Sequence, residues 1–319
     1  MSGQLFISFA KAELSRIPGL EKFCMCIAKH RGSGGRQRAG KLILTRVIQA
    51  SMPEGIQIAD RDVTSLDRIA ADVFGLRVVL VNVYAVSSQP DWVLIDAGLY
   101  LSAGRIRRWA EEHFGQRRPS AIVQTHGHFD HTGSLKELAD EWDVPVYAHE
   151  LELPYLDGRE SYPAPDASAG GGLMSVLAPF YPRGPVDVGS RLKPLPANGS
   201  VPGMTGWKWL HTPGHTRGHV SFFREADRTL IVGDAFCTTA QESVAAIATQ
   251  KPELHGPPAY YTSDWHAAKR SVELLAGLRP QTVAPGHGRP MSGADVADSL
   301  AVLARDFDHV ARPQTHRAA

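Results

Sequence analysis

The stretch Thr125-His126-Gly127-His128-Phe129-Asp130-His131 decides how the rest of the chain is read. His126, His128, Asp130 and His131 are all metal-grade side chains, and they fall within six residues. Ala121-Ile122-Val123-Gln124 before them predicts the end of a buried strand, and Gly133 to Asp140 after them predicts a helix. The cluster therefore sits on a strand-to-helix turn, at the carboxyl end of a strand, where ligands gather in α/β proteins. His126 and His128 are two apart, so in extended backbone they point the same way. Asp130 and His131 lie past the turn and can face a second position nearby. Imidazole nitrogen suits zinc and a carboxylate adds an oxygen ligand; ligands packed this tightly fit two metals better than one. The competing reading is a polar turn whose histidines cap the helix.

Three later stretches repeat the pattern. Thr212-Pro213-Gly214-His215-Thr216-Arg217-Gly218-His219 places a histidine in a tight Pro-Gly turn. Leu230-Ile231-Val232-Gly233-Asp234-Ala235 ends an apolar run on an acid, and Val283-Ala284-Pro285-Gly286-His287-Gly288 ends one on a histidine. Each is a short apolar strand, a glycine-containing turn and one metal-capable side chain.

The order His-x-His-x-Asp-His, then His, Asp and His, from His126 to His287, resembles the metallo-β-lactamase-fold superfamily of metallohydrolases. The resemblance implies an α/β fold, a four-layer αββα sandwich of two mixed β-sheets face to face with helices outside. It also implies a binuclear site in which one metal takes His126, His128 and His215, the other takes Asp130, His131 and His287, and Asp234 bridges them. Two zinc ions are expected, with iron or manganese as alternatives, and no organic cofactor. A hydroxide held between the metals would attack a carbonyl-type carbon, with Asp130 orienting the nucleophile or carrying the proton. Asp96, ending the apolar run Trp92-Val93-Leu94-Ile95, matches a family position whose acid fixes a ligating histidine; a turn-forming Asp is the alternative. His219 and His211 flank His215 and are read as its polar neighbours, not ligands. His149 is read as a pocket-edge or structural histidine.

The 319 residues are 43% hydrophobic and 21% charged, which supports a real core. A net charge of +1 gives no general reason to expect nucleic acid or a membrane surface, and no apolar run approaches the ~20 residues of a membrane span. Cys24, Cys26 and Cys237 make no disulfide framework, so a reducing, cytoplasmic setting is expected. Residues 1–55 read as a basic, flexible extension and residues 56–319 as the hydrolase domain. In the first fifty residues nine Lys or Arg, from Lys11 to Arg46, face only Glu13 and Glu21. Three readings stay open for this segment: a dispensable extension, an arm for an anionic partner, or translation from upstream of Met52.

Within the domain, Leu76 to Val86 reads as one strand, paired through the Gln89-Pro90-Asp91 turn with Trp92 to Gly98. Ser102–Phe114, Trp265–Leu278 and Val296–Val310 read as helices, and Val220–Val232 as a second hairpin. Residues 153–206 are broken by prolines; a loop this long beside the ligands is a candidate pocket wall, with Tyr155, Tyr162, Phe180 and Tyr181 as lining.

The expected substrate is a small ester, lactone or thioester; a homodimer is left open as an oligomeric state. Some lactone-opening members of the family carry a tyrosine just after the bridging acid; here Ala235-Phe236-Cys237 follows Asp234, and Tyr260 or Tyr261 would have to reach the pocket instead. The alternatives are β-lactamase activity at the same site and iron-dependent redox or dioxygenase chemistry on the same fold.

Overall fold

The structure, a computed structural model, describes residues 65–166, 168–169, 178–240 and 252–316. The expected 1–55 extension lies outside them. All of the described residues except Phe180–Pro182 fall in one compact unit.

Among the described residues the strands are β1 (Ser65–Ala70), β2 (Val73–Val78), β3 (Val81–Ser88), β4 (Asp91–Ile95), β5 (Ala121–Val123), β6 (Val146–Ala148), β7 (Leu192–Pro194), β8 (Ser200–Val201), β9 (Met204–His211), β10 (Val220–Arg224), β11 (Thr229–Gly233), β12 (Thr282–Pro285) and β13 (Met291–Ser292). They build a seven-stranded sheet in the order β1 to β7 and a six-stranded sheet in the order β13-β12-β11-β10-β9-β8. Both sheets are mixed. In the first, β1 to β4 run antiparallel and β4 to β7 parallel; in the second, β11 and β12 form the parallel pair. Strands buried on both faces read as continuous apolar runs, as in Trp92-Val93-Leu94-Ile95 and Leu230-Ile231-Val232.

Three apolar layers separate four structural ones. Val86, Val93, Ile95 and Val123 of the first sheet meet Phe222, Ile231 and Ala284 of the second. On the outer side of the first sheet, Trp92, Leu94 and Ile122 pack on the helices Ala103–Phe114 and Leu135–Trp142. On the outer side of the second, Leu230, Val232 and Val283 pack on Trp265–Gly277 and Asp295–Arg305. The result is the αββα sandwich. Polar bonds lock the sheets in register: Tyr84 Oη and Asn82 Nδ2 both donate to the Pro285 carbonyl, at 2.7 and 2.9 Å.

Three elements differ from the sequence reading. Leu76–Val86 is a hairpin rather than one strand, because Val79, with φ of 63°, turns the chain between β2 and β3. The terminal helix breaks at Asp306, after Arg305. The proline-rich 153–206 stretch contributes β7 and β8, and β9 starts within it. Short edge strands tolerate Pro194, since an edge residue has a ladder bond to spare.

Candidate metal centre

The parallel pairs β4–β5 and β11–β12 end at the same edge of the sandwich, and their carboxyl ends carry Asp96, His126, Asp234 and His287. The β9–β10 turn delivers His215 to the same place; Val220 N–H donates to Thr125 O at 2.9 Å, tying that turn to the end of β5. Phe129–Thr132 is a short helical turn that swings Asp130 and His131 away from His126 and His128.

Three sets of ligand-type atoms come together, each within 4.8 Å: His126, His128 and His215; Asp130, His131 and His287; and His126, His131 and Asp234. Asp234 lies between the first two. One of its oxygens is 3.4 Å from His215 Nε2 and 3.2 Å from His287 Nε2, and the other is 3.5 Å from His131 Nε2. Asp130 Oδ2 is 3.3 Å from His287 Nε2. All seven side chains are buried or nearly so, and only Asp130 keeps appreciable exposure, at 18%.

Three of the imidazoles are held from behind so that the other nitrogen faces the cluster. His131 donates from Nδ1 to Asp96 Oδ2 at 2.8 Å, and His287 from Nδ1 to the Leu80 carbonyl at 2.8 Å. Thr125 Oγ1 lies 3.0 Å from His126 Nδ1 and itself donates to Asp96 Oδ2 at 2.9 Å. Asp96 also accepts Thr125 N–H on its other oxygen at 2.8 Å, so one carboxylate orients two of the histidines, one directly and one through a hydroxyl. His219 does not face the cluster as a ligand. Its Nε2 accepts the Asp234 N–H at 2.8 Å, and Nδ1 meets Thr212 Oγ1 at 2.9 Å. His149 stands apart, stacked on His211 with ring centroids 4.3 Å apart and accepting Leu151 N–H.

The charge states divide the site. Burial drives His126 and His215 well below the ordinary histidine value, with the neighbouring imidazoles adding to it. Burial likewise lowers His128 to about 4 and His219 to about 3. At His131 and His287 burial is outweighed by carboxylates: Asp234, Asp96 and Asp130 hold His131 well above the usual value, and Asp234 and Asp130 push His287 up to about 10. Burial also works against the charge of Asp130 and Asp234, yet His131 and His287 keep both carboxyls below the usual range.

Divalent metal fits this set. His126 Nε2, His131 Nε2 and Asp234 Oδ1 are buried with no hydrogen-bond partner, a costly state that a cation in the cluster would relieve. Five imidazoles with two carboxylates match the donor preference of zinc.

Sequence reasoning missed Glu152. It is fully buried and accepts Gly127 N–H and Tyr162 Oη on Oε2, and Thr216 Oγ1 and Gly218 N–H on Oε1. Nothing in Glu150-Leu151-Glu152 separates this acid from a solvated one. Of the aromatic residues expected near the site, Tyr162 lies against the His128 ring at 4.5 Å and Tyr155 stacks on Tyr162 at 3.9 Å. Tyr261 covers the His128 ring at 4.5 Å, and Tyr260 is buried beside it. Cys237 is buried in the core.

A family model described as the metallo-beta-lactamase superfamily matches residues 76–287. The chain is 46% identical over 245 residues to the probable metallo-hydrolase YflN of Bacillus subtilis, covering 76% of this chain and 93% of that one. It is 28% identical to the probable metallo-hydrolase YybB of the same organism, covering 65% and 80%. A solved metallo-β-lactamase from Cronobacter sakazakii superposes with a TM-score of 0.51 at 18% identity, covering 76% of this chain and 95% of that one, a likeness of fold.

Proposed function

The chain belongs to the metallo-β-lactamase superfamily of metal-dependent hydrolases, and on that premise we propose that it is a binuclear zinc enzyme that hydrolyses a small ester, lactone or thioester in a reducing, cytoplasmic setting. The observation that carries this reading is the placement of Asp234 between the two histidine sets, with His215, His131 and His287 all within 3.5 Å of its oxygens. His126, His128 and His215 would hold one ion, Asp130, His131 and His287 the other, and Asp234 would serve both. When bound, zinc supplies Lewis acidity, which brings the ionisation of water to about pH 7 and polarises an acyl oxygen.

The chain's own residues do the rest. Asp96 and His219 hold His131 and Asp234 in fixed orientation, so little rearrangement is needed on loading. Burial of the cluster keeps competing water out and strengthens charge interactions within it. Asp130 is the exposed member, and its carboxylate is suited to orient the attacking nucleophile and pass its proton to the leaving group. That division of labour requires no serine or cysteine nucleophile, and Cys237 is turned into the core.

The test is metal content together with turnover of a small panel: an aryl ester, an acyl-homoserine lactone, S-lactoylglutathione and a chromogenic cephalosporin. Near two zinc ions per chain with turnover of one of the first three supports the reading. Turnover of the cephalosporin alone transfers it to β-lactamase activity, and one iron per chain with no hydrolysis overturns it.

A further inference from the structure

We infer that Glu152 is a positioning residue that sets the spacing of the two loops carrying His126, His128 and His215, one carboxylate oxygen serving each loop. The inference rests on the metal-centre reading above. Oε2 accepts the N–H of Gly127, which lies between His126 and His128, at 2.9 Å, and also the Tyr162 hydroxyl. Oε1 accepts the Thr216 hydroxyl at 2.7 Å and the Gly218 N–H at 2.9 Å, just after His215. Two short loops far apart in sequence thus converge on one buried anion. Across the gap it sets, His128 Nδ1 and His215 Nε2 face each other at 2.9 Å.

Sterics agree with the hydrogen bonds. A Cβ on Gly127 would lie 2.7 Å from Tyr162 Oη, and one on Gly218 would lie 2.8 Å from Glu152 Oε1. At Gly218 the Glu152 side chain itself leaves no room for a Cβ, and at Gly127 the Tyr162 hydroxyl bonded to that carboxylate leaves none. Tyr162 extends the same support sideways, since its ring lies against His128 while its hydroxyl donates to Glu152. Asp130, His131 and His287 make no contact of this kind with Glu152; His131 is held by Asp96 and His287 by the Leu80 carbonyl. Glu152 therefore acts on the three-histidine set and not on the other.

A glutamine at 152 keeps size and places an amide N–H₂ against the donors of one loop, which pushes that loop away. The experiment measures zinc affinity by chelator competition in two backgrounds. His287→Ala leaves the three-histidine set, and His215→Ala leaves the other. Adding Glu152→Gln is expected to weaken zinc binding about 10- to 100-fold in the first background and to change it less than about twofold in the second. Equal weakening in both backgrounds, or none in the first, overturns the inference. Should the glutamine chain fail to fold, Tyr162→Phe retains the ring and removes one donor; it is expected to weaken binding by about 3- to 10-fold in the His287→Ala background. No change there overturns the inference as well. If neither background binds zinc before Glu152 is altered, the metal-centre reading fails and takes the inference with it.

Discussion

His131 donates its Nδ1–H to Asp96 Oδ2 at 2.8 Å, and both groups are buried. The bond fixes which nitrogen of His131 faces Asp234 and Asp130, and Asp96 is itself held by Thr125 from backbone and side chain. Replacing Asp96 by Asn keeps the shape but puts an amide where an acceptor is required. Zinc affinity is expected to fall about 10- to 100-fold, measured by chelator competition on the folded chain. An unchanged affinity would show that His131 needs no such partner.

Asp130→Ala removes the one acid of the cluster with appreciable exposure while leaving the buried support of its neighbours in place. Turnover is expected to drop about 100-fold or more, with little change in thermal midpoint. Near-normal turnover would exclude Asp130 from proton handling.

The two ligand sets differ in what metal must displace. Burial holds His126, His128 and His215 below the ordinary histidine value, whereas neighbouring carboxylates hold His131 and His287 above it. Full loading at pH 7 is therefore expected to release protons from His131 and His287, in addition to any lost by metal-bound water, read by calorimetry in buffers of different ionisation enthalpy. The sign follows for the metal-free fold. The folded-state pKa of His287 is raised to about 10, so its stabilising contribution is full below the ordinary histidine value of 6.5 and is lost as pH rises through about 10. Metal affinity moves the opposite way, strengthening as pH rises over that window. Loading without proton release would refute the charge division.

Trp92 tests the fold apart from the site. It is 1% exposed, stacks on Phe114 at 4.5 Å, meets Trp142 edge-on at 5.7 Å and donates to the Arg117 carbonyl. Trp92→Ala is expected to cost about 3–5 kcal/mol in denaturant unfolding, leaving metal stoichiometry of the folded chain unchanged. A cost under about 1 kcal/mol would mean that the outer layer contributes little to the core.

The ligand cluster was conspicuous in the primary structure for a simple reason. Its first four members are packed between His126 and His131, and His215, Asp234 and His287 each follow an apolar strand through a glycine turn. Helices such as Ala103–Phe114 and Trp265–Gly277 announce themselves by apolar periodicity. The hairpin turn at Val79 did not, because a β-branched residue at positive φ is held there by pairing on either side rather than by its own preference. Likewise β7 pairs in parallel with β6, a contact that no local pattern around Pro194 encodes.

Sequence by itself showed which side chains are metal-grade, since residue type is a local property, and their order from His126 to His287 carried the family resemblance that implied the sandwich. Tertiary structure alone decided which groups hold these side chains from behind, and that the inconspicuous Glu152 braces the loops of His126, His128 and His215. The physical reason lies in the partners. Two of the four donors that hold Glu152 are backbone N–H groups 25 and 66 residues away, and a backbone donor has no residue identity by which a sequence can reveal it.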